Sequence, residues 1–441
     1  MKNMNEYKYH CALKIRIYPS SLQKLIIKKC SDTSRFVYNK MVAISNELYN
    51  LKKIKLFDNP LVDRLKYLAE LKKSTTLLGT MNPWMADKHI DSYAVANAKQ
   101  NYMKAWSLFR KIGSGVPTFH KKSYEEKYQT NLKCLFTKVT NMLALPKLGK
   151  IKFSGSKKIL TKLHANEEVR IGTVTVTKTT EDKYYASIAL ASDSTFWEHL
   201  PKTYKDIGID LNVKNFLTDS YGNVVDNPKY YKKSQKKLAK AQRAMARKMR
   251  RAKKKKVSLR NCKNYQNARK KVSSISRKVM NQRSDFLHNL SYTLIKNHDM
   301  VYAEDLKTKK MLYDNDYASS IADCGWNIFL GMLEYKSKIY GKIFQLVDPF
   351  RTTQKCSTCG HVMSGEQKLK LTDRSWDCHS CKIHHDRDHN AAKNILAIGR
   401  KIFRLRWHLR SIMANLIDSL HCLGKQFAVS FGKLGELSTS R

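Results

Sequence analysis

Residues 206–225 have the sequence DIGIDLNVKNFLTDSYGNVV, and this stretch decides the fold of the second half of the chain. Short apolar runs alternate with the turn-forming residues Asn and Gly, which predicts two or three short strands in a β-meander. The first of these strands ends in an acid, Asp210. A carboxylate in that place is either a turn residue or part of a reactive site.

The same arrangement recurs further along the chain. The segment MVYAEDL, residues 300–306, has the pattern of a buried strand and contains Glu304, while KIFQLVD, residues 342–348, is another short strand. Helical patterns separate these strands, and a further helix opens at Asp388 with DHNAAKNILAIG. Strands that alternate with helices in this way predict a mixed α/β sheet.

The acids Asp210, Glu304 and Asp388 permit two interpretations. Carboxylates at neighbouring strand ends can converge on two Mg²⁺ ions about 3.5–4 Å apart, which activate water for phosphodiester cleavage. Taken singly, the same residues have ordinary roles as a turn residue, a strand-end charge and a helix N-cap. Their residue types alone do not decide between these interpretations.

The first 200 residues show a different pattern. Residues 7–19, YKYHCALKIRIYP, alternate apolar and polar side chains and predict a strand that Pro19 ends. Residues 20–112 have helical spacing, and residues 113–200 return to strands separated by turn residues. We expect a small β-barrel or sandwich with the helices inserted after its first strand.

The charge of the chain indicates its class of partner. Its 441 residues include 84 Lys and Arg against 36 Asp and Glu, a formal charge of +48, which favours nucleic acid as a polyanionic partner. Residues 229–283 contain 23 Lys or Arg and no Asp, Glu, Pro or Gly. This composition permits a helical hairpin with a break near residues 253–261, interpreted as a site for a nucleic-acid backbone rather than a solvated face.

Other composition features indicate where the protein acts. We find no run of about 18 apolar residues and no signal-peptide core near the N-terminus, so a cytoplasmic protein without a membrane partner is expected. Six of the ten cysteines are scattered singly, as buried thiols are in a reducing compartment.

The remaining four cysteines form two Cys-x-x-Cys pairs, Cys356 with Cys359 and Cys378 with Cys381, and 18 residues separate the pairs. This spacing is typical of a zinc ribbon, in which four thiolates close a tetrahedron on Zn²⁺ and leave no position open for water. The predicted zinc is therefore structural. Nearby histidines are interpreted as surface or nucleic-acid-contacting side chains rather than as ligands. They are His361, His379, His384 and His385.

Three segments together resemble, in order and spacing, the split RuvC motifs and zinc insertion of the TnpB family. They are GIDLNVKNFLTDSYG at 208–222, VYAEDLKTKKM at 301–311, and CSTCG with CHSCKIHHDRDHNAAKNIL between 356 and 396. Flanking segments such as SRFVYNK and NQRSDFLHNLS are similar too, and the likeness covers about residues 7–398. Members of this family are transposon-encoded RNA-guided nucleases, relatives of compact type V CRISPR effectors.

The resemblance implies an α/β multidomain protein with an RNase H-like RuvC nuclease, a zinc-ribbon insertion, a wedge β-barrel and an inserted helical recognition domain. Residues 1–19 and 113–200 would form the wedge β-barrel, and residues 20–112 the recognition domain. Residues 201–349 and 384–400 would form the nuclease, with the zinc-ribbon insertion, which binds target nucleic acid, at residues 350–383. Residues 401–441 are a C-terminal tail of unassigned role.

The resemblance also implies the site and its partners. Asp210, Glu304 and Asp388 take the positions of the catalytic, Mg²⁺-binding acids, and the four paired cysteines those of the zinc ligands. The implied partners are a noncoding guide RNA and a double-stranded DNA target, recognised beside a short motif at the prokaryotic nucleoid. Base pairing would supply most of the sequence specificity, and one site would cut both strands in turn.

Two details depart from the family or leave alternatives open. The residue two after the first acid is usually Gly in the family and is Asn212 here, which can also adopt a left-handed turn conformation. Of the two acids in DRDHNAA, Asp386 is interpreted as a turn or capping residue and Asp388 as the catalytic one.

The alternative function is a nuclease-inactive RNA-guided DNA-binding repressor or transposition regulator. In such relatives the acid triad degenerates, whereas all three acids are present here. A DNA-strand-transfer transposase is a weaker alternative, and the sequence leaves the oligomeric state open.

Overall fold

The computed structural model describes residues 2–54, 58–131, 142–155, 168–307, 311, 318–370, 372–406 and 408. The chain divides into two units, Met1–Phe196 and Trp197–Arg441. The tail predicted from residue 401 lies largely outside the described residues.

The first unit is built on a six-stranded antiparallel sheet with the strand order β2-β5-β6-β1-β4-β3. Its strands are β1 (Tyr9–Tyr18), β2 (Glu126–Asn131), β3 (Met142–Leu145), β4 (Gly149–Ser154), β5 (Arg170–Lys178) and β6 (Tyr184–Ser192). Alternate residues such as Ile15, Val174 and Ile188 face one core. Among the described residues β2 does not pair with β3, so the predicted barrel is present as a half-barrel.

Helices follow β1 in the chain, as the sequence predicts. They are α1 (Ser21–Leu51), α2 (Asn59–Lys73), α3 (Thr75–Thr80) and α4 (Ser92–Ile112). The Ser20 hydroxyl accepts a hydrogen bond from the N–H of Gln23, and the Gln23 side chain accepts one from the N–H of Ser20, so a capping box begins α1. Ile26, Ile27 and Cys30 of α1 pack into the core of the half-barrel, so helices cover this face of the sheet.

The second unit contains a five-stranded sheet with the order β11-β10-β7-β8-β9. Its strands are β7 (Asp206–Leu211), β8 (Asn215–Asp219), β9 (Val224–Asp226), β10 (Met300–Glu304) and β11 (Ile343–Val347). β7, β8 and β9 form the predicted antiparallel meander, whereas β10 pairs in parallel with both β7 and β11. This is the strand arrangement of the RNase H fold, which confirms the predicted mixed α/β sheet.

The strongly basic segment forms the predicted helical hairpin. Its helices are α5 (Tyr230–Lys254) and α6 (Lys263–Asn297), with the break between them at residues 255–262. Two further helices, α7 (Ala318–Cys324) and α8 (Trp326–Tyr340), lie between β10 and β11 in the chain. Asp323 of α7 accepts hydrogen bonds from the N–H groups of Tyr231 and Lys232, which caps the start of α5.

The last described helix, α9 (residues 387–406), lies directly on the sheet. Gly208 of β7 makes this approach possible, because a Cβ there would lie 2.3 Å from the carbonyl oxygen of Ala392 and 2.7 Å from the nitrogen of Leu396. Further along α9, Arg400 forms a bidentate ion pair with Asp206, with N···O distances of 2.5 and 2.6 Å. The helix that begins beside Asp388 is therefore held along the length of β7.

A small module lies between β11 and α9 in the chain. It contains both cysteine pairs and a two-stranded antiparallel sheet of β12 (Ser375–Asp377) and β13 (His384–Asp386). β13 pairs with β12 and not with the large sheet, so His384 and His385 belong to the hairpin of this module.

Within the described ranges, no helix is long and apolar enough to span a lipid bilayer.

Candidate active site and metal centre

The parallel pairing of β7 and β10 brings two of the three predicted acids together at the carboxyl ends of these strands. β7 and β10 run in parallel with Met300 opposite Asp206 and Ala303 opposite Ile209, so the next position in this register places Glu304 beside Asp210. Asp388 is the second residue of α9, which packs on β7. The three acids therefore meet at the carboxyl ends of the strands, where open α/β sheets place their ligands.

The electrostatics of these acids confirm that they are neighbours. Burial, followed by the negative charges of Glu304 and Asp388, raises the pKa of Asp210 well above its ordinary value. Burial also raises the pKa of Glu304, and Asp210 and Glu304 are only 6% and 7% exposed. Burial and the nearby charge of Asp386 raise the pKa of Asp388, whereas the cations of Arg374 and Arg387 oppose this shift. A cluster of this kind favours a cation among its carboxylates.

Neutral side chains hold two of the acids in place. The hydroxyl of Thr352, which is 3% exposed, donates a hydrogen bond to Oε1 of Glu304. Nδ2 of Asn212 donates to Oδ2 of Asp388 at 3.2 Å. Thr352 stands in RTTQKC beside a second threonine, and no sequence pattern distinguishes the two.

Asn212 does not adopt the left-handed conformation that the family comparison suggested. Among the described residues it is absent from those with positive φ, and its Oδ1 accepts a hydrogen bond from the N–H of Asn215 at 2.8 Å. The turn between β7 and β8 is thus made by an Asn side chain rather than by a left-handed backbone. The same side chain is then available to orient Asp388.

Asp386 has the capping role that was predicted from its position. Oδ1 of Asp386 accepts a hydrogen bond from the N–H of His389 at 2.9 Å, which makes Asp386 the N-cap of α9. Asp388 faces the cleft described next, and its Oδ2 lies 4.0 Å from Nη1 of Arg374.

A cleft of about 950 Å³ opens beside Asp210 and Asp388. Residues from α5, α7 and the cysteine module line it together with the β7–β8 turn. Its basic lining residues are Lys214, Lys229, Lys232, Arg374 and Arg387. Cations around a carboxylate pair form a surface that can hold a phosphodiester backbone against the acids.

The four cysteines converge as the sequence predicts. Their sulfur atoms all lie within 4.8 Å of one another, with Cys356 and Cys381 3.7 Å apart and Cys359 and Cys378 3.6 Å apart. In the part of the chain that the structure describes, no other group of three or more potential metal ligands has its ligand atoms this close together. The carboxylates of Asp210, Glu304 and Asp388 are therefore farther apart than the four sulfurs. Four thiolates at this separation fit a tetrahedral zinc ion.

The two cysteine pairs form nearly identical turns. In the first, the N–H of Gly360 bonds to the carbonyl of Cys356, whose own N–H bonds to the carbonyl of His361. Lys382, Cys378 and Ile383 repeat these bonds in the second turn. Gly360 and Lys382 have matching left-handed conformations, with φ of 81° and 59°. A hydrogen bond from the backbone of His361 lowers the pKa of Cys359 to about 6, which favours the metal-binding thiolate.

The prediction of surface histidines is wrong for His385, and Nε2 of His361 is buried as well. His385 is 7% exposed, its Nε2 lies 3.1 Å from the sulfur of Cys356, and its ring packs on Trp376 with the centroids 4.8 Å apart. It is therefore a buried neighbour of a zinc ligand and not a surface side chain, because the β12–β13 pairing turns it inward. His379 and His384 are exposed, and His384 bonds to Asp377.

Models of known families match three parts of the chain. A "Probable transposase" model matches residues 173–314, a "Cas12f1-like, TNB domain" model matches residues 326–395, and a "Helix-turn-helix domain" model matches residues 9–53. In the structure the last of these segments is β1 followed by the single helix α1.

Whole-length relatives accompany these matches. A "Putative RNA-guided DNA endonuclease" of Streptomyces pristinaespiralis is 28% identical over 390 residues, covering 88% of this chain and 89% of the relative. The "Putative RNA-guided DNA endonuclease InsQ" of Escherichia coli (strain K12) is 26% identical over 406 residues, covering 89% and 92%. The "TnpB-like protein L79" of Acanthamoeba polyphaga mimivirus is 30% identical over 132 residues, covering 28% and 24%. The chain is thus similar to a TnpB-like protein over part of its length and to proteins named as RNA-guided DNA endonucleases over most of it.

Two solved structures also align along most of this chain. The "mini-RNA-guided endonuclease CRISPR-Cas_phi3" covers 89% of it at 9% identity with a TM-score of 0.35, the alignment taking in 92% of that protein. The "Cas12f1-sgRNA-target DNA complex" covers 88% at 14% identity with a TM-score of 0.30, the alignment taking in 99% of that protein.

Proposed function

We propose that this protein is an RNA-guided DNA endonuclease of the TnpB family, with a site that consists of Asp210, Glu304 and Asp388. The observation that carries the proposal is the meeting of the buried Asp210 and Glu304 with the half-buried Asp388 at the ends of β7 and β10 and the start of α9, beside a basic cleft. The relatives with "RNA-guided DNA endonuclease" in their names cover nearly the whole chain, which supports the same activity.

Carboxylate oxygens are the ligands that Mg²⁺ prefers. The pKa of Asp210 is raised by burial and then by the charges of Glu304 and Asp388, and a divalent cation would offset both effects. Asp210, Glu304 and Asp388 would therefore hold one or two Mg²⁺ ions, which supply an activated water and neutralise the leaving oxygen. Thr352 and Asn212 orient two of these acids through hydrogen bonds. Lys214, Lys232 and Arg374 would hold the phosphodiester backbone against them.

The same proposal assigns the nucleic-acid partners. The hairpin of α5 and α6 carries the 23 Lys and Arg residues of positions 229–283, and this segment contains no acid. Its positive charge complements the phosphate backbone of a guide RNA or of its duplex with DNA. Base pairing with a transposon-derived RNA would select the DNA, and the protein would read a short adjacent motif. One nuclease site would then cut the two strands in sequence.

The cysteine module has a different part in this function. Its four thiolates close their own coordination sphere, so a zinc ion held there stabilises the module and activates no water. The cluster of Cys356, Met363, Trp376 and Cys378 is small, which is why the module is expected to need the metal to fold.

The experiment is cleavage of plasmid DNA by the protein loaded with its copurified RNA, in Mg²⁺. Asp210→Asn and Asp388→Asn are expected to lower the cleavage rate by at least about a thousandfold, since each removes a metal ligand and a charge. RNA binding is expected to stay unchanged, because neither acid lies on the basic hairpin.

The matched control is Asp305→Asn, which neutralises an exposed acid adjacent to Glu304. It is expected to cleave like the parent protein. Normal cleavage by Asp210→Asn or Asp388→Asn would refute the proposed site, and loss of RNA binding in either would attribute the defect to folding.

A further inference from the structure

Residues 352–357, here called the bridging segment, lead from the large sheet to the first cysteine turn. The segment begins at Thr352, which is 3% exposed, and includes Cys356, the first proposed zinc ligand. Thr352 donates its hydroxyl hydrogen to Glu304. One end of this segment therefore touches a proposed catalytic acid, and the other end belongs to the cysteine cluster.

Two asparagines of α9 bind the backbone of the same segment. Asn390 accepts a hydrogen bond from the N–H of Ser357 at 2.8 Å and donates one to the carbonyl of Lys355 at 2.8 Å. Asn394 donates to the carbonyls of Thr352 at 2.8 Å and Lys355 at 2.6 Å. The Asn390 amide thus pairs with alternate residues of the bridging segment as a neighbouring strand would.

These contacts lie in the interior of the unit. Asn390 is 1% exposed and Asn394 is 5% exposed, and buried amides are costly unless hydrogen bonded. Asn390 follows Asp388 by two positions and lies on the first turn of α9, so a shift of its amide relative to the bridging segment moves the Asp388 backbone as well.

We propose that Thr352, Asn390 and Asn394 are positioning residues of the nuclease site, through which the bridging segment of the cysteine module fixes the places of Glu304 and Asp388. The proposal rests on the function proposed above, and it makes the cysteine module part of the catalytic geometry as well as a binding domain. Groups that orient metal ligands from outside typically change metal affinity or activity about 10–100-fold when removed.

The first test is the pair Thr352→Val and Thr352→Ser, assayed for cleavage over a range of Mg²⁺ concentrations at one pH. Thr352 donates its hydroxyl hydrogen to Glu304, so Thr352→Val is expected to raise the Mg²⁺ concentration needed for half-maximal cleavage about 10–100-fold. Thr352→Ser keeps the hydroxyl and is expected to restore the parent Mg²⁺ dependence. A slower cleavage with an unchanged Mg²⁺ midpoint, or a serine variant as defective as valine, would overturn the positioning role of Thr352.

The second test measures metal binding without cleavage. Mn²⁺ bound by the RNA-free protein is titrated by electron paramagnetic resonance for Asn390→Ala, Asn394→Ala and the control Ala397→Ser, which changes an exposed position of α9. The asparagine variants are expected to keep one zinc per chain and to bind Mn²⁺ about tenfold more weakly. The control is expected to match the parent protein. Unchanged Mn²⁺ affinity in both asparagine variants would overturn the proposal, and so would loss of zinc in step with the weakening.

Asp210→Asn is run beside these variants to separate the two proposals. If it cleaves normally, the acids are not the nuclease site and the proposed function fails. If it is inactive while Thr352→Val keeps the parent Mg²⁺ dependence and both asparagine variants keep the parent Mn²⁺ affinity, only the positioning role fails.

Discussion

The cysteine cluster and the acid cluster both gather potential metal ligands, yet they are assembled in opposite ways. The four sulfurs come from two short turns of one module and lie within 4.8 Å of one another. The three acids come from β7, β10 and α9, which are distant in the chain and meet only through the sheet. The cysteine cluster is thus determined locally, whereas the acid cluster depends on long-range packing.

The two clusters also differ in what shifts their pKa values. The backbone lowers the pKa of one ligand in each cysteine turn, His361 acting on Cys359 and Ile383 on Cys381, although burial and the other cysteines raise the pKa of Cys381 overall. In the acid cluster, burial raises the pKa of each carboxyl and so disfavours the charged ligand. A local turn can stabilise the charged form of a metal ligand with its own N–H groups. The charged form of a carboxylate at a buried strand end is instead stabilised by neighbouring elements or by a cation.

The largest effect is expected from Cys356→Ser combined with Cys359→Ser. Structural zinc contributes on the order of 10 kcal/mol to small modules of this kind, so the cysteine module should lose both metal and fold. Zinc content by atomic absorption and folded yield measure the outcome. A variant with full stability and no zinc would show that the module does not need its metal.

The next largest effect tests the long-range cluster. Gly208→Ala places a Cβ 2.3 Å from the carbonyl oxygen of Ala392, so α9 must move off β7, at a cost of about 1–3 kcal/mol or more. We expect a lower Tm and a loss of cleavage with zinc retained. The control Gly331→Ala, in α8, has nothing within 4 Å of the new Cβ and should be neutral or stabilising by about 0.5–1 kcal/mol. Equal effects of the two alanines would contradict this account of the packing.

A smaller effect is expected in the pH dependence of the metal-free protein. The folded pKa of Asp210 is raised, so between about pH 4 and that pKa the folded state binds a proton that the unfolded state has lost. The free energy of unfolding should therefore fall as pH increases through this window and stay reduced above it. Asp210→Asn should flatten this fall, making the variant more stable than its parent at neutral pH in chelator but not below about pH 4. Thermal melts across pH check this, and a variant less stable at every pH would disprove it.

The smallest effect concerns the two matching cysteine turns. Lys382 adopts with φ of 59° the conformation that Gly360 adopts in the first turn, which costs a non-glycine residue about 1 kcal/mol. Lys382→Gly is therefore expected to slow the release of zinc to a chromogenic chelator by a few-fold at most. Gly360→Ala should speed it by a similar factor. Faster release from Lys382→Gly, or slower release from Gly360→Ala, would show that the two turns are not energetically equivalent.

Much of this architecture was predictable from residue spacing. The meander after residue 206, the break in the basic hairpin and the insertion of helices after β1 follow from local patterns of apolar, turn-forming and charged residues. Asp386 was predictable as the N-cap of α9, because such caps act within one turn of chain.

Other features were not predictable in this way. His385 looks like its exposed neighbour His384, and only the pairing of β12 with β13 turns it toward Cys356. Asn212 was judged able to adopt a left-handed backbone and instead supplies its side chain to Asn215 and Asp388. A β-barrel or sandwich was expected from alternating residues, but among the described strands β2 and β3 do not pair, and α1 packs on the core of the sheet.

The sequence by itself determined which side chains could bind metal, because cysteine spacing and acids at strand ends are local properties of the chain. Only the tertiary structure decided what surrounds them. Thr352, Asn390 and Asn394 carry no motif that marks them, and their roles come from the contact of α9 with the bridging segment. The physical reason is that a buried hydrogen bond is selected by its partner's position in space, which residue spacing along the chain does not encode.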